Sequence, residues 1–164
     1  IRPDNLSEDK TPKIPVIRHA LTEAEKYFGY NFDVIFDLDV TAPLRKISDI
    51  HSAFSKFTYD NSDTLITASH SRKNPYFNII ELKDKKIQLV KHRSKLIGSR
   101  QEAPQVFDMN GSIYIWKRDI LMSSDTLFHD KTSLYVMPEE RSFDIDSKMD
   151  WNIVESIMQK KSKD

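Results

Sequence analysis

The chain has no cysteine and only three glycines in 164 residues. Without cysteine there are no disulfides, no thiolate metal sites and no cysteine nucleophile. Gly29, Gly98 and Gly111 stand far apart. No glycine-rich turn is therefore present whose backbone amides could cradle a phosphate. A surplus of charge is also missing, with 25 basic and 25 acidic residues. That balance argues against nucleic acid as the main partner. No apolar run approaches the length of a membrane span, and the opening residues do not form a signal peptide. The expected location is the cytoplasm, with no membrane partner. The sequence opens on Ile1-Arg2-Pro3 without an initiator methionine. With the scarcity of glycine, this reads as a missing N-terminal segment.

What remains is an ordinary folding composition, 38% hydrophobic and 30% charged. It suits one domain with a real core. Ile14, Ile17, Leu21 and Phe28 mark the apolar face of a helix over 12–28. Residues 33–40 read as a buried strand, and 41–45 turn out of it. Ser48 is the expected cap of a second helix carrying Ile50, Ala53, Phe54 and Phe57. Strands are expected at 65–68, 112–116 and 133–137, with a short helix over 117–122. Residues 76–82 and 87–91 flank the polar turn 83–86 and read as a hairpin. A final helix over about 147–160 carries Trp151, Val154, Ile157 and Met158. Strands alternating with helices predict an α/β sheet, with the hairpin as an excursion from it.

The run Ser142-Phe143-Asp144-Ile145-Asp146 carries the chemistry. In an extended run Asp144 and Asp146 point the same way. Two convergent carboxylates make a hard-oxygen site suited to magnesium, and magnesium suggests phosphate chemistry. The alternative is a solvated acidic turn that caps the last helix. The five histidines, His19, His51, His70, His92 and His129, show no metal spacing.

Four blocks then align in order: Arg2-Pro3-Asp4-Asn5-Leu6 with Asp9; Asp39-Val40-Thr41-Ala42-Pro43-Leu44-Arg45; Arg100-Gln101 with Asn110-Gly111-Ser112-Ile113-Tyr114; and Ser142-Phe143-Asp144-Ile145-Asp146. Together they resemble the acylneuraminate cytidylyltransferases, the CMP-sialic acid synthetases, along nearly the whole chain. Asp37-Leu38-Asp39, Arg72 to Asn78, Tyr114 to Asp119 and Met137 to Arg141 resemble the branch that activates legionaminic-acid-type sugars. The resemblance implies a nucleotide-diphospho-sugar transferase fold, the glycosyltransferase-A-like three-layer α/β/α sandwich. It would be truncated at the N-terminus, where the family's CTP loop lies. Residues 1–164 would form one domain, with 70–108 a dimerisation and sugar-lid excursion.

The implied reaction joins the anomeric hydroxyl of a nine-carbon 2-keto sugar acid to the α-phosphate of CTP. CMP-sugar forms and pyrophosphate leaves. The implied assignments are Asp144 and Asp146 as Mg2+ ligands and catalytic carboxylates, with Arg100 at an anion. Asp39, Tyr114, Leu127, Phe128 and Asn110 would bind the sugar, and Arg2 and Lys13 the nucleotide. Leu127 and Phe128 would lie beneath the acyl group. Asp39 replaces a family glutamine. It is read as a sugar acceptor, a neighbour of the metal, or a strand-end carboxylate bonding nearby amides. The family's partner-donated lysine falls near Phe77 or Asn78 and has no counterpart; Arg72 or Lys73 are the substitutes. The family is homodimeric. The chain alone is expected to be inactive, and a non-catalytic remnant that dimerises or binds nucleotide weakly is the competing reading.

Overall fold

A computed structural model describes residues 2–8, 10–91 and 100–161, apart from the side chains of Arg100 and Lys161. Most of the basic stretch expected after the hairpin, 92–99, lies outside the described residues.

Helix α1 (Lys13–Phe28) starts after Pro12 and stops at Gly29, whose φ of 77° is the left-handed cap that glycine adopts without strain. Ile14 and Leu21 bury the face that the apolar spacing identifies. Strand β1 (Val34–Leu38) follows. Helix α2 (Ile47–Tyr59) begins one residue before Ser48, so Ser48 is not its cap. Instead the Asp49 carboxylate reaches back to accept the Lys46 N–H at 2.9 Å. An acid in the first turn also suits the helix dipole.

Strand β2 (Thr64–His70) is buried along nearly its whole length. Strands β3 (Ile80–Lys83) and β4 (Lys86–Leu89) form the expected hairpin as a separate two-stranded sheet. Its turn is tighter than expected, two residues, with Asp84 and Lys85 at φ 50° and 63°. Positive φ at both positions matches the right-handed twist of a hairpin. Strand β5 (Phe107–Lys117) runs five residues further upstream than expected. Gly111, at φ 62°, carries it through an irregularity instead of ending it. Helix α3 (Arg118–Ser123), strand β6 (Thr132–Val136) and helix α4 (Lys148–Lys161) complete the chain.

The main sheet has the order β1-β5-β2-β6. Strand β5 is antiparallel to both β1 and β2, while β6 runs parallel to β2. Hence β1, β2 and β6 all end at one edge of the sheet, where β5 begins. Alternation along the strands gives the sheet two apolar faces. Ile66, Tyr114 and Trp116 pack with Ile14 and Leu21 of α1 on one face. Leu65, Ile113 and Ile115 pack with Ala53 and Phe57 of α2 on the other. The fold is thus α/β, a mixed sheet with a helix on each face. No helix among the described residues is long and apolar enough to cross a membrane.

Candidate functional site

The strand-end edge is organised by the irregularity in β5. Between the pairs Ile66–Tyr114 and Ala68–Met109, β2 advances two residues while β5 uses five. The extra residues lift Asn110, Gly111 and Ser112 out of the ladder, and side chains take over their bonding. The Thr67 hydroxyl donates to Asn110 Oδ1 at 2.7 Å and accepts the Ile113 N–H at 2.9 Å. Asn110 Oδ1 also accepts the Ser112 N–H at 3.2 Å, and Asn110 Nδ2 donates to Ser142 Oγ at 3.0 Å. Asn110 is buried and directed inward. Its amide oxygen and nitrogen are both engaged, within the irregularity and with Ser142.

Two loops are tied to this irregularity. Arg45 donates to the carbonyls of Asp39 at 3.0 Å and Ser112 at 2.7 Å, fixing the chain after β1. The Ile145 N–H donates to Thr41 O at 2.9 Å, and the Met137 N–H to Ala68 O at 2.8 Å. The Arg141 guanidinium forks onto both oxygens of Asp49, each at 2.8 Å. Burial acts against the Asp49 carboxylate, yet its bonds to Arg141 and Lys46 hold it below the usual range. The loop that carries Asp144 and Asp146 is therefore pinned at both sides.

On the α1 face of this edge lies a cleft of about 580 Å³, whose lining includes Lys13, Ile17, Tyr114, Trp116, Leu127 and Phe128. Tyr114 and Trp116, two apart in β5, stack with centroids 5.6 Å apart. The Lys13 ammonium sits 4.4 Å from the centre of the Tyr114 ring. It lies 2.7 Å from Asp37 Oδ2 and 3.0 Å from Asp39 Oδ2. The contact with Asp37 is an ion pair without the angles of a good hydrogen bond. Burial disfavours the ammonium, but the two carboxylates outweigh it and hold Lys13 above its ordinary value. Asp39 Oδ1 accepts both the N–H and the hydroxyl of Thr41, at 3.3 and 3.0 Å. Burial raises the Asp39 carboxyl, yet Lys13 and Thr41 together leave it below its usual range. Burial pushes the Tyr114 phenol up; Lys13 opposes this, while Asp37, Asp39 and Asp144 add to it.

Asp144 stands at the same edge. Its Oδ1 is buried without a hydrogen-bond partner. Its Oδ2 is 3.5 Å from the point where a side chain on Gly111 would begin. Asp146 is exposed. No group of three or more acids or histidines gathers around a metal position among the described residues. The orphaned buried oxygen of Asp144 and the exposed carboxylate of Asp146, two residues on, are hard-oxygen donors of the kind a divalent cation takes.

The cleft thus collects Lys13, Tyr114, Leu127 and Phe128, with Asp39 and Asp144 beside them. Phe128 is 62% exposed, while Leu127 packs against the core. Arg2 bonds Ser7 at 3.2 Å in the exposed N-terminal segment. The Arg100 side chain lies outside the described residues. Arg72 pairs with Glu139. His70 packs on Phe107. Sequence reasoning did not assign Asp37, Arg45, Thr67 and Trp116 to the site. For Asp37 and Trp116 the signal was present, since each lies two residues along a strand from an assigned residue.

The fold is α/β with a mixed sheet, compatible with a nucleotidyltransferase-like protein, and comparison with known proteins gives the family. No family model matches the chain. It is 46% identical to post-translational flagellin modification protein B of Campylobacter coli, over 98% of this chain and 68% of that protein. It is 44% identical to CMP-N,N'-diacetyllegionaminic acid synthase of Campylobacter jejuni, with the same coverage. It is 25% identical to the N-acylneuraminate cytidylyltransferase of Escherichia coli O18:K1:H7, over 99% of this chain and 38% of that protein. The chain belongs to the acylneuraminate cytidylyltransferase family.

Proposed function

We propose that the protein carrying this sequence activates a nonulosonic acid of the legionaminic type with CTP, releasing CMP-sugar and pyrophosphate. The observation that carries this reading is the 44% identity to a CMP-N,N'-diacetyllegionaminic acid synthase across nearly the whole chain. A cleft with an apolar wall and a fixed ammonium, bordered by Asp39 and Asp144, supports it. Such a cleft has the chemistry to take a polar sugar that bears small apolar substituents.

In this reading Asp144 and Asp146 hold Mg2+, which when bound neutralises charge on the phosphates of CTP. The chain's own residues position. Tyr114, Leu127 and Phe128 hold the sugar. Lys13, which the resemblance places at the nucleotide, lines the same cleft and is reassigned to the sugar. Arg45 and Asn110 keep the loop edges at fixed spacing. Productive alignment of the two reactants is a large part of such catalysis. Arg100 and Arg2 are assigned to anionic groups of the substrates. The sandwich is of the glycosyltransferase-A-like type. The excursion at 70–108 makes a homodimer, its hairpin presenting Ile80, Leu82 and Ile87, all exposed. The protein works in the cytoplasm, where CTP is available.

No glycine-rich turn that could cradle a triphosphate occurs in these 164 residues. The activity is therefore proposed for a polypeptide that supplies one. That absence alone favours the competing reading, a non-catalytic member that dimerises or binds nucleotide weakly. Pyrophosphate release by a polypeptide that carries such a loop, from CTP with N,N'-diacetyllegionaminic acid, N-acetylneuraminic acid or no sugar, separates the two. Sugar-dependent, magnesium-dependent release with the legionaminic acid favoured is expected. No release with any acid would reject the enzymatic reading.

A further inference from the structure

The following rests on the cytidylyltransferase reading and concerns which side chain selects the sugar. Asp39 stands where the resemblance places a sugar-contacting residue, but both its oxygens are engaged. Oδ1 accepts two bonds from Thr41, and Oδ2 faces the Lys13 ammonium at 3.0 Å. The cleft is lined by Lys13 and not by Asp39. An ammonium carries three donors. Asp37 and Asp39 face it on one side and the Tyr114 ring on another. Its side chain is nevertheless 43% exposed. It therefore keeps donor capacity on the open side, beside the apolar wall of Ile17, Trp116, Leu127 and Phe128.

We propose that Lys13, clamped by Asp37 and Asp39, selects the sugar by donating from its ammonium to the carbonyl oxygen of an acylamido substituent whose alkyl end rests on that apolar wall. The two carboxylates act through Lys13: they fix its position and keep it charged. A charge compensated from behind and open in front favours an acceptor over a second cation. The apolar wall supplies the rest of the fit, since an acyl methyl replaces water against Ile17, Leu127 and Phe128.

The test is calorimetric binding of two sugar acids to the protein: N-acetylneuraminic acid and its analogue with hydroxyl in place of the acetamido group. Wild type should prefer the acetamido acid. Lys13→Met keeps the stem and removes the donor, and should reduce that preference about tenfold or more, the scale of one charge-assisted hydrogen bond. Lys13→Arg should restore part of it. Asp39→Asn should keep most of it, because Asp37 still holds the ammonium. Should Lys13→Met fail to fold, lysine-labelled wild-type protein gives a second readout. The Lys13 side-chain resonance should shift with the acetamido acid and stay nearly still with the hydroxy acid. An undiminished preference in Lys13→Met, an unmoved resonance, or a preference lost through Asp39→Asn and kept without Lys13 overturns the inference alone. Binding of neither acid by wild type overturns the inference; failure to bind N,N'-diacetyllegionaminic acid as well overturns the family-based function too.

Discussion

Two ionic clusters, a guanidinium on one carboxylate and an ammonium between two, sit near one edge of this fold and do different work. Arg141 and Asp49 form a closed pair. The guanidinium forks onto both carboxylate oxygens, Asp49 is 1% exposed, and its remaining capacity goes to the Lys46 N–H. Lys13 with Asp37 and Asp39 forms an open one. Its ammonium is half exposed at a cleft and lies over an aromatic face. A closed, buried pair fixes structure, and losing one partner leaves a charge stranded. An open pair adds little to stability and has bonding capacity left for a ligand. Exposure and unfilled donors, not the presence of a salt bridge, separate scaffold from site.

The comparison can be broken in several places. The largest effect is expected at the exposed end of the acidic loop. Asp146→Asn should leave folding unchanged and lower CTP-dependent turnover by orders of magnitude at limiting magnesium, read by pyrophosphate release. Wild-type turnover in that variant would remove Asp146 from the metal site. Next comes the closed pair. Arg141→Met should reduce stability by about 3–5 kcal/mol, as for other buried pairs that lose one partner; denaturant titration measures this.

Acid should reach the closed pair as well. The Asp49 carboxyl is held below its unfolded value, so its contribution is full above that value and is lost as pH falls through the folded one. Stability should begin to fall from about pH 5 downward. That slope should be shallower in Asp49→Asn, whatever the variant's lower starting stability. The smallest effect belongs to the open pair. Lys13→Met should change stability by no more than about 1 kcal/mol, because a partly exposed pair is screened by solvent.

Much of the fold was legible because apolar periodicity reports burial directly. Helix α1 appeared in the spacing of Ile14, Ile17 and Leu21, and the hairpin in the polar turn between two apolar runs. The start of α2 was misread at Ser48, since sequence shows which residues are able to cap but not which one meets the free amide. Asp49 meets it here. The length of β5 was missed because the apolar run begins only after Asn110-Gly111, whereas the Thr67 hydroxyl, far away in sequence, bridges that irregularity within the strand. For the site, alignment of motifs brought out Asp39, Tyr114, Leu127 and Phe128. The Lys13 clamp stayed hidden because its partners lie 24 and 26 residues away on another element. Distance in sequence likewise hid the bond between Arg45 and Ser112.

The most direct test sets the two pairs side by side. Melting temperature and the KM for the sugar acid are measured together in Lys13→Met and Arg141→Met. The account predicts opposite patterns: Lys13→Met melts close to wild type with a KM raised about tenfold, while Arg141→Met melts far lower and, below its transition, keeps the wild-type KM. If Lys13→Met loses stability and keeps its KM, or Arg141→Met raises KM as much as Lys13→Met does, then the open pair is scaffold after all and the distinction between the two fails.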